Sequence, residues 1–245
     1  MFSLCIPTLD RYDKFLSIYV KKYLENPLID EIIINDENGN DYEKLLNEYK
    51  DTDNISKLKI YKNDNILGPF LNKIKVCKYA KNNWICLMDS DNFADIQYFE
   101  IVNNYIMQNK LSDYCILSPN FAFPNFNYSN LTGKIITKNN IRNISEYDKI
   151  SGNVLELLLN TGNYVLNKKL INNLDITQES NIHLSSACDV IYMNTLFLEQ
   201  FELEFHVLCN KYSHVVHDGS VYTNTINNTR DFASYVHDRF RKLLN

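Results

Sequence analysis

Short apolar runs alternate with helix-length amphipathic segments through the first 120 residues, and this alternation limits the fold more than any other feature of the chain. Phe2 to Ile6 reads as a strand, and Tyr12, Phe15, Leu16, Tyr19 and Tyr23 then recur at helical spacing before Pro27. Ile29 to Ile34 reads as a strand, Tyr42 to Tyr49 as a helix, and Leu58 to Tyr61 as a strand. Pro69 to Lys81 reads as a helix with proline in its first turn, where a missing N–H costs nothing. Trp84 to Met88 is a strand, Ile96 to Gln108 a helix and Tyr114 to Leu117 a strand. Strands joined by helical crossovers make an α/β fold with a mostly parallel sheet covered on both faces. Ligands of such sheets bind outside the carboxyl ends of the strands.

After residue 120 the pattern loosens. Phe121 to Lys138 has room for a hairpin, Asn153 to Asn160 and Ala187 to Phe201 read as helices, Leu203 to Leu208 as a strand and Phe232 to Leu244 as a last helix. No linker, repeat or low-complexity block divides the chain, so its 245 residues are expected to form one domain. Within it, 1–120 and 121–245 form two functional halves. With 25 basic and 30 acidic side chains the net charge is −5, which argues against a nucleic-acid binder. The six cysteines include no C-x-x-C pair and several sit in apolar runs, so buried thiols and a reducing, cytoplasmic compartment are expected. The amino terminus lacks the charged flank of a signal peptide. No apolar run reaches the roughly 18 residues that span a bilayer.

The chemistry is expected where strands end. Trp84-Ile85-Cys86-Leu87-Met88 runs directly into Asp89-Ser90-Asp91. In extended backbone, residues i and i+2 project to one side, so the two carboxylates can face one cation. Mg2+ or Mn2+ is commonly held by one or two carboxylates plus substrate phosphates. Asp36 ends the second strand and precedes Asn38-Gly39, so it also fits as a turn residue. Asp189 opens a helix, where a carboxylate is favoured by the helix dipole whatever its further role. His214 and His217 stand late in the chain in a stretch that does not look helical.

From Gly68 to Asp91 the chain resembles family 2-like GT-A glycosyltransferases, in the stretch running from a glycine, through a basic residue on a helix, to the Asp-x-Asp motif. Lys73 falls where that family carries an arginine facing the donor's diphosphate, and Ile74 and Asn82 replace its Asn and Gly. A lysine meets phosphate as a point charge without the bidentate fork. Cys5 to Arg11 resembles the opening strand and its Pro-Thr turn, which implies that Pro7, Thr8, Asp10 and Arg11 line the nucleoside. Ile32 to Gly39 is similar to the strand ending in an acidic pair, which implies that Asp36 contacts the uracil or ribose. Ser185 to Tyr192 resembles the family's Glu-Asp motif with Cys188 in place of Glu, which implies that Asp189 is the general base of an inverting enzyme. Thr161-Gly162-Asn163-Tyr164 resembles the segment closing over the donor sugar, though its residues alone read equally as a plain loop.

The resemblance implies a GT-A fold and a metal-dependent transferase. A nucleotide-diphosphate sugar, with UDP as carrier, would be the donor, and a hydroxyl of a glycan or other molecule the acceptor. Mn2+ or Mg2+ would sit on Asp89, Asp91 and a late histidine, His217 ahead of His214, with Ser90 beside the donor. A sugar-nucleotide pyrophosphorylase would need a glycine-rich loop after the first strand, and Pro7-Thr8-Leu9-Asp10 has no glycine. A non-catalytic nucleotide-sugar or glycan-binding module of the same fold stays open, since Cys188 departs from the motif.

Overall fold

A computed structural model of the chain describes residues 1–51, 55–141, 154–179, 189–218 and 230–244. The first half runs β1 (Phe2–Thr8), a π-helical turn at Tyr12–Leu16, α1 (Ser17–Leu24), β2 (Ile29–Asp36), α2 (Asn40–Tyr49), β3 (Leu58–Lys62), α3 (Pro69–Lys78), β4 (Trp84–Leu87) and α4 (Ile96–Gln108). The second half runs β5 (Cys115–Phe123), β6 (Phe126–Asn127), β7 (Ile135–Ile136), α5 (Val154–Asn160), β8 (Tyr164–Asn167), α6 (Lys168–Asn173), α7 (Asp189–Gln200), β9 (Glu204–Ser213) and α8 (Arg230–Leu244).

The nine strands of the described residues join one sheet in the order β3-β2-β1-β4-β8-β5-β9-β7, with β6 on β5. β1, β2, β3 and β4 are parallel, β8 runs antiparallel between β4 and β5, and β9 is parallel to β5. The long strands therefore point one way, as the crossover pattern requires. Strand parity sorts the core into two layers. Cys5, Ile33, Ile85, Leu87 and Ile116 pack beneath α3, α5, α6, α7 and α8. Leu4, Ile6, Ile32, Ile34, Cys86 and Leu117 pack beneath α1, α2 and α4.

The expected elements are present, and the differences have local causes. β5 and β9 run past their expected ends because they pair with each other as far as Phe123 and Ser213, across a register shift after Pro119. The hairpin expected after residue 120 pairs Phe121 with Asn127 and Ala122 with Phe126. α3 stops before Lys81, as the Ala80 N–H turns back to the Cys77 carbonyl at 3.2 Å. β8 begins at Tyr164, within the stretch read as a closing segment or loop. Four residues are too few to show periodicity, and this strand is fixed by neighbours on both sides. Cys5, Cys77, Cys86, Cys115 and Cys209 are free thiols, all buried except Cys209. Among the described residues no helix is long and apolar enough to cross a membrane.

At the amino ends of the strands, buried Glu31 joins three elements. It accepts from Ser3 Oγ at 2.6 Å, Lys59 Nζ at 2.7 Å and the Lys81 N–H at 2.6 Å. Burial pushes its carboxyl up, but the Lys59 ammonium, the Ser3 hydroxyl and the Lys81 N–H together hold it below the ordinary value. A lowered folded pKa adds stability that is complete above the unfolded value and is lost as pH falls through the folded one. Glu31→Gln should therefore unfold at lower urea than wild type at pH 7, with the gap closing below about pH 4. A gap of constant size across that range contradicts the assignment.

Candidate functional site

β1 sends the chain towards β2 on one side and has β4 on the other, so the strand order reverses between β1 and β4. A crevice opens at such a point, outside the carboxyl ends of the strands. Here it is a cavity of about 560 Å³, lined among others by Pro7, Thr8, Arg11, Glu37, Lys73, Asp89, Ser90, Asp91, Asn163 and Asp189. That volume falls within the usual range for small-molecule sites.

Its near wall is the turn after β1. Asp41, at the start of α2 and 1% exposed, shapes that turn. Its carboxylate accepts from Thr8 Oγ1 at 2.5 Å, from the Tyr12 N–H at 2.9 Å and from the Arg11 N–H through both oxygens. Glu37 shapes the next wall by accepting from the Leu67 and Gly68 N–H groups and, at 2.8 Å, from Asn63 Nδ2. Gly68 has φ 84°, a backbone state that a side chain disfavours, and it turns the chain into Pro69 and α3. α3 thus starts at the cavity and carries Lys73 along its floor.

Lys73 is the joint of the site. Its side chain is 4% exposed, and Nζ lies 2.8 Å from Asp89 Oδ1 and 2.7 Å from Asp189 Oδ2. Burial works against its charge, but the Asp189 and Asp89 carboxylates outweigh that cost and raise its pKa above the ordinary lysine value. Asp89 is held again from the other side. Asn163 Nδ2 donates to its Oδ2 at 3.0 Å, and Asn163 Oδ1 accepts the Asp89 N–H at 2.6 Å. Asp189 reaches Lys73 from the first turn of α7.

Asp91 has a different set of neighbours. Its Oδ2 lies 3.1 Å from His217 Nε2 and 3.7 Å from Arg11 Nε. Burial and the Asp89 charge push its carboxyl up, opposed by His217 and Arg11. Phe15 backs the imidazole, with ring centroids 5.1 Å apart. His214 lies on the cavity wall against Phe126 and 2.6 Å from Asn125 Nδ2. Burial lowers its pKa.

The structure thus gathers Pro7, Thr8, Arg11, Lys73, Asp89, Ser90, Asp91 and Asp189 at one cavity and places His217 on Asp91. Asp89 and Asp91 meet there by a different route from the expected one. Strand β4 ends at Leu87, and the Asn92 N–H closes a turn onto the Asp89 carbonyl at 3.0 Å. Three of the expected residues are not on the cavity wall: His217, which reaches the site through Asp91, and Asp36 and Asp10. Asp36 is 0% exposed, and its oxygens accept the Asn38 and Tyr42 N–H groups at 3.3 and 2.8 Å. It shapes the entry to α2, and its neighbour Glu37 faces the cavity. Asp10, with φ 55°, turns outward to Asn38 and Asn40. Sequence reasoning missed Glu37 and Asp41 and placed Asn163 only within a candidate segment, without its partner Asp89. The acidic pair Asp36-Glu37 signalled one of them, but which carboxylate faces inward depends on the turn. Ser185, Ser186, Cys188, Gly219 and Ser220 lie outside the described residues.

Among the described residues no group of three or more His, Cys, Asp or Glu side chains converges as a metal cage. The Asp91 carboxylate and His217 imidazole are nonetheless oxygen and nitrogen donors within one contact, a partial set that substrate phosphates can complete.

The sequence model of glycosyl transferase family 2 matches residues 3–157. No curated protein sequence matches the chain. Crystal structures of S. aureus TarS have a similar fold. TarS 1–349 gives a TM-score of 0.61 at 14% identity, over 100% of this chain and 70% of that one. Its complex with UDP gives 0.61 at 16% identity, over 100% and 70%. Its complex with UDP-GlcNAc gives 0.61 at 13%, over 100% and 71%. The chain spans 42% of the longer TarS structure. At these identities the likeness is one of fold.

Removing the cation between two carboxylates leaves them to repel in a poorly solvated cleft. Lys73→Met should therefore cost roughly 3 kcal/mol in urea unfolding, the low end for breaking a buried pair because both carboxylates keep some water. Adding Asp189→Asn should return part of that loss, and strictly additive effects contradict the coupling.

Proposed function

The chain belongs to glycosyl transferase family 2, and on that premise we propose that it moves a sugar from a UDP-sugar to an acceptor hydroxyl on a glycan or other molecule, with Mn2+ or Mg2+ bound. The observation that carries the proposal is the meeting of Asp89, Asp91 and Asp189 in one cavity at the strand switch point, with Lys73 bridging Asp89 and Asp189 and His217 behind Asp91. UDP is the preferred carrier because TarS, whose fold is similar, has been crystallised with UDP and with UDP-GlcNAc. In this reading residues 1–120 hold the donor and residues 121–245 receive the acceptor.

Pro7, Thr8 and Arg11 line the nucleoside side, with Glu37 beside them, and Ser90 lies next to the diphosphate. Asp36 and Asp10 support that wall by holding the turn after β2. Asp91 and His217 would hold the divalent ion, with Asp89 facing the same charge. Bound there, the ion would supply Lewis-acid stabilisation to the departing diphosphate. Lys73 contributes a fixed positive charge beside that group, in a cleft where oriented charge is worth far more than in water. Asp189 accepts the proton of the attacking hydroxyl. Attack opposite the diphosphate inverts the anomeric carbon, forming the new C–O bond as the bond to the diphosphate oxygen breaks.

Asp91→Asn should abolish Mn2+-dependent release of UDP from UDP-sugars while leaving the urea midpoint near wild type; full activity in that variant contradicts the metal assignment. Asp189→Asn should slow turnover by about 10²–10⁴ with UDP affinity nearly unchanged. An unaltered rate moves the base elsewhere. Product examined by NMR should carry the inverted anomeric configuration, and retention removes Asp189 from its role.

A further inference from the structure

We infer that Asn163 and Gly162 are positioning residues that fix Asp89 relative to Asp189, an inference that rests on the roles proposed for those two carboxylates. Strand register sets the first contact. β8 is antiparallel to β4 with Tyr164 opposite Leu87, so the residue before Tyr164 falls beside the residues that follow Leu87. Asn163 is that residue. It is 3% exposed, and its amide makes a two-point contact with Asp89, one hydrogen bond to the backbone N–H and one to the carboxylate. A donor and an acceptor on one planar amide satisfy both groups at once, which neither an apolar nor an acidic side chain of that size does.

The same segment is tied to the helix that carries Asp189. A Cβ on Gly162 would come within 2.6 Å of Val190 Cγ2, so the segment lies against the first turn of α7 only because it has no side chain there. Val190 is β-branched and has little freedom to turn away. Further along α7, the fully buried Asn194 donates to the Leu158 and Thr161 carbonyls at 2.8 and 3.1 Å and accepts from Tyr164 Oη at 3.0 Å.

The contacts close into a ring. Asp89 meets Asn163, Gly162 meets Val190, Asp189 precedes Val190, and Lys73 returns from Asp189 to Asp89. Donor-side and acceptor-side carboxylates are thus held by one closed circuit and cannot shift independently. In an enzyme whose two carboxylates serve opposite ends of a displacement, that spacing sets how well the acceptor is aligned.

The two positions should fail differently. Asn163→Asp keeps the acceptor for the Asp89 N–H and loses the donor to its carboxylate; Asn163→Ala loses both. Each should weaken UDP binding, measured by calorimetry with Mn2+, by about 10- to 100-fold, the usual range for residues that orient ligating groups. Asn163→Ala combined with Asp89→Asn should bind UDP no more weakly than Asp89→Asn alone. Gly162→Ala should keep UDP affinity and slow UDP release from UDP-GlcNAc. Val190→Ala in the same chain should restore that rate to the level of Val190→Ala alone, because Val190 Cβ lies at an ordinary 3.5 Å. Wild-type UDP affinity in both Asn163 variants, additive loss with Asp89→Asn, or a Gly162→Ala defect untouched by Val190→Ala overturns the inference. If wild type itself binds no UDP, the functional reading fails and crystal structures of the Asn163 variants decide the positioning alone. The Asp89 carboxylate leaving its wild-type rotamer supports it, and an unmoved carboxylate overturns it.

Discussion

One ammonium group, Lys73 Nζ, fixes the relation between the two ends of the site. It comes from the floor of the cavity and reaches Asp89 after β4 and Asp189 at the start of α7. Three groups of alternating charge in a partly buried cleft have few other stable arrangements, because each carboxylate is costly there without its cation. The position of Lys73 depends in turn on where α3 begins. Glu37 grips the Leu67 and Gly68 N–H groups, and α3 is held against β2 by Asn72, which accepts from Asn35 Nδ2 at 2.5 Å. The geometry of the site is therefore inherited from the polar ends of β1, β2 and β4, and the apolar layers beneath them keep those ends in register.

This arrangement separates two duties that an Asp-x-Asp motif could otherwise blur. Asp89 is surrounded by groups that orient it, Lys73 on one oxygen and Asn163 on the other. Asp91 stands with His217 and Arg11, which can exchange contacts with an incoming ion or phosphate. In the proposed reaction the first residue is a fixed part of the frame and the second a ligand.

Much of the fold was legible because parallel strands and crossover helices have strong, different periods. Ile96–Gln108 was bounded correctly from its pattern, and Trp84 to Met88 announced a buried strand opening on acidic residues. β8 was not legible, because a four-residue strand held by neighbours distant in sequence leaves no local signature. The site was legible in its residue types more than in its contacts. Lys73 is legible as a phosphate ligand through its family resemblance, but its bridge to Asp189 spans over a hundred residues and needs the folded sheet. Asp36 looked like the inward member of the acidic pair. The turn into α2 gives its oxygens to backbone N–H groups and leaves Glu37 on the wall. Asn163 is legible only as part of a segment resembling the one that closes over the donor sugar, or of a plain loop, since nothing in Thr161-Gly162-Asn163 says which carboxylate its amide will meet.

The most direct measurement is anomalous diffraction at the manganese edge from crystals grown with MnCl2 and UDP. The account predicts a single strong peak within coordination distance of the Asp91 carboxylate, with the His217 ring turned towards it and the UDP phosphates on its far side. Clear density for UDP with no manganese beside Asp91, or a peak bound away from the end of β4, would contradict it.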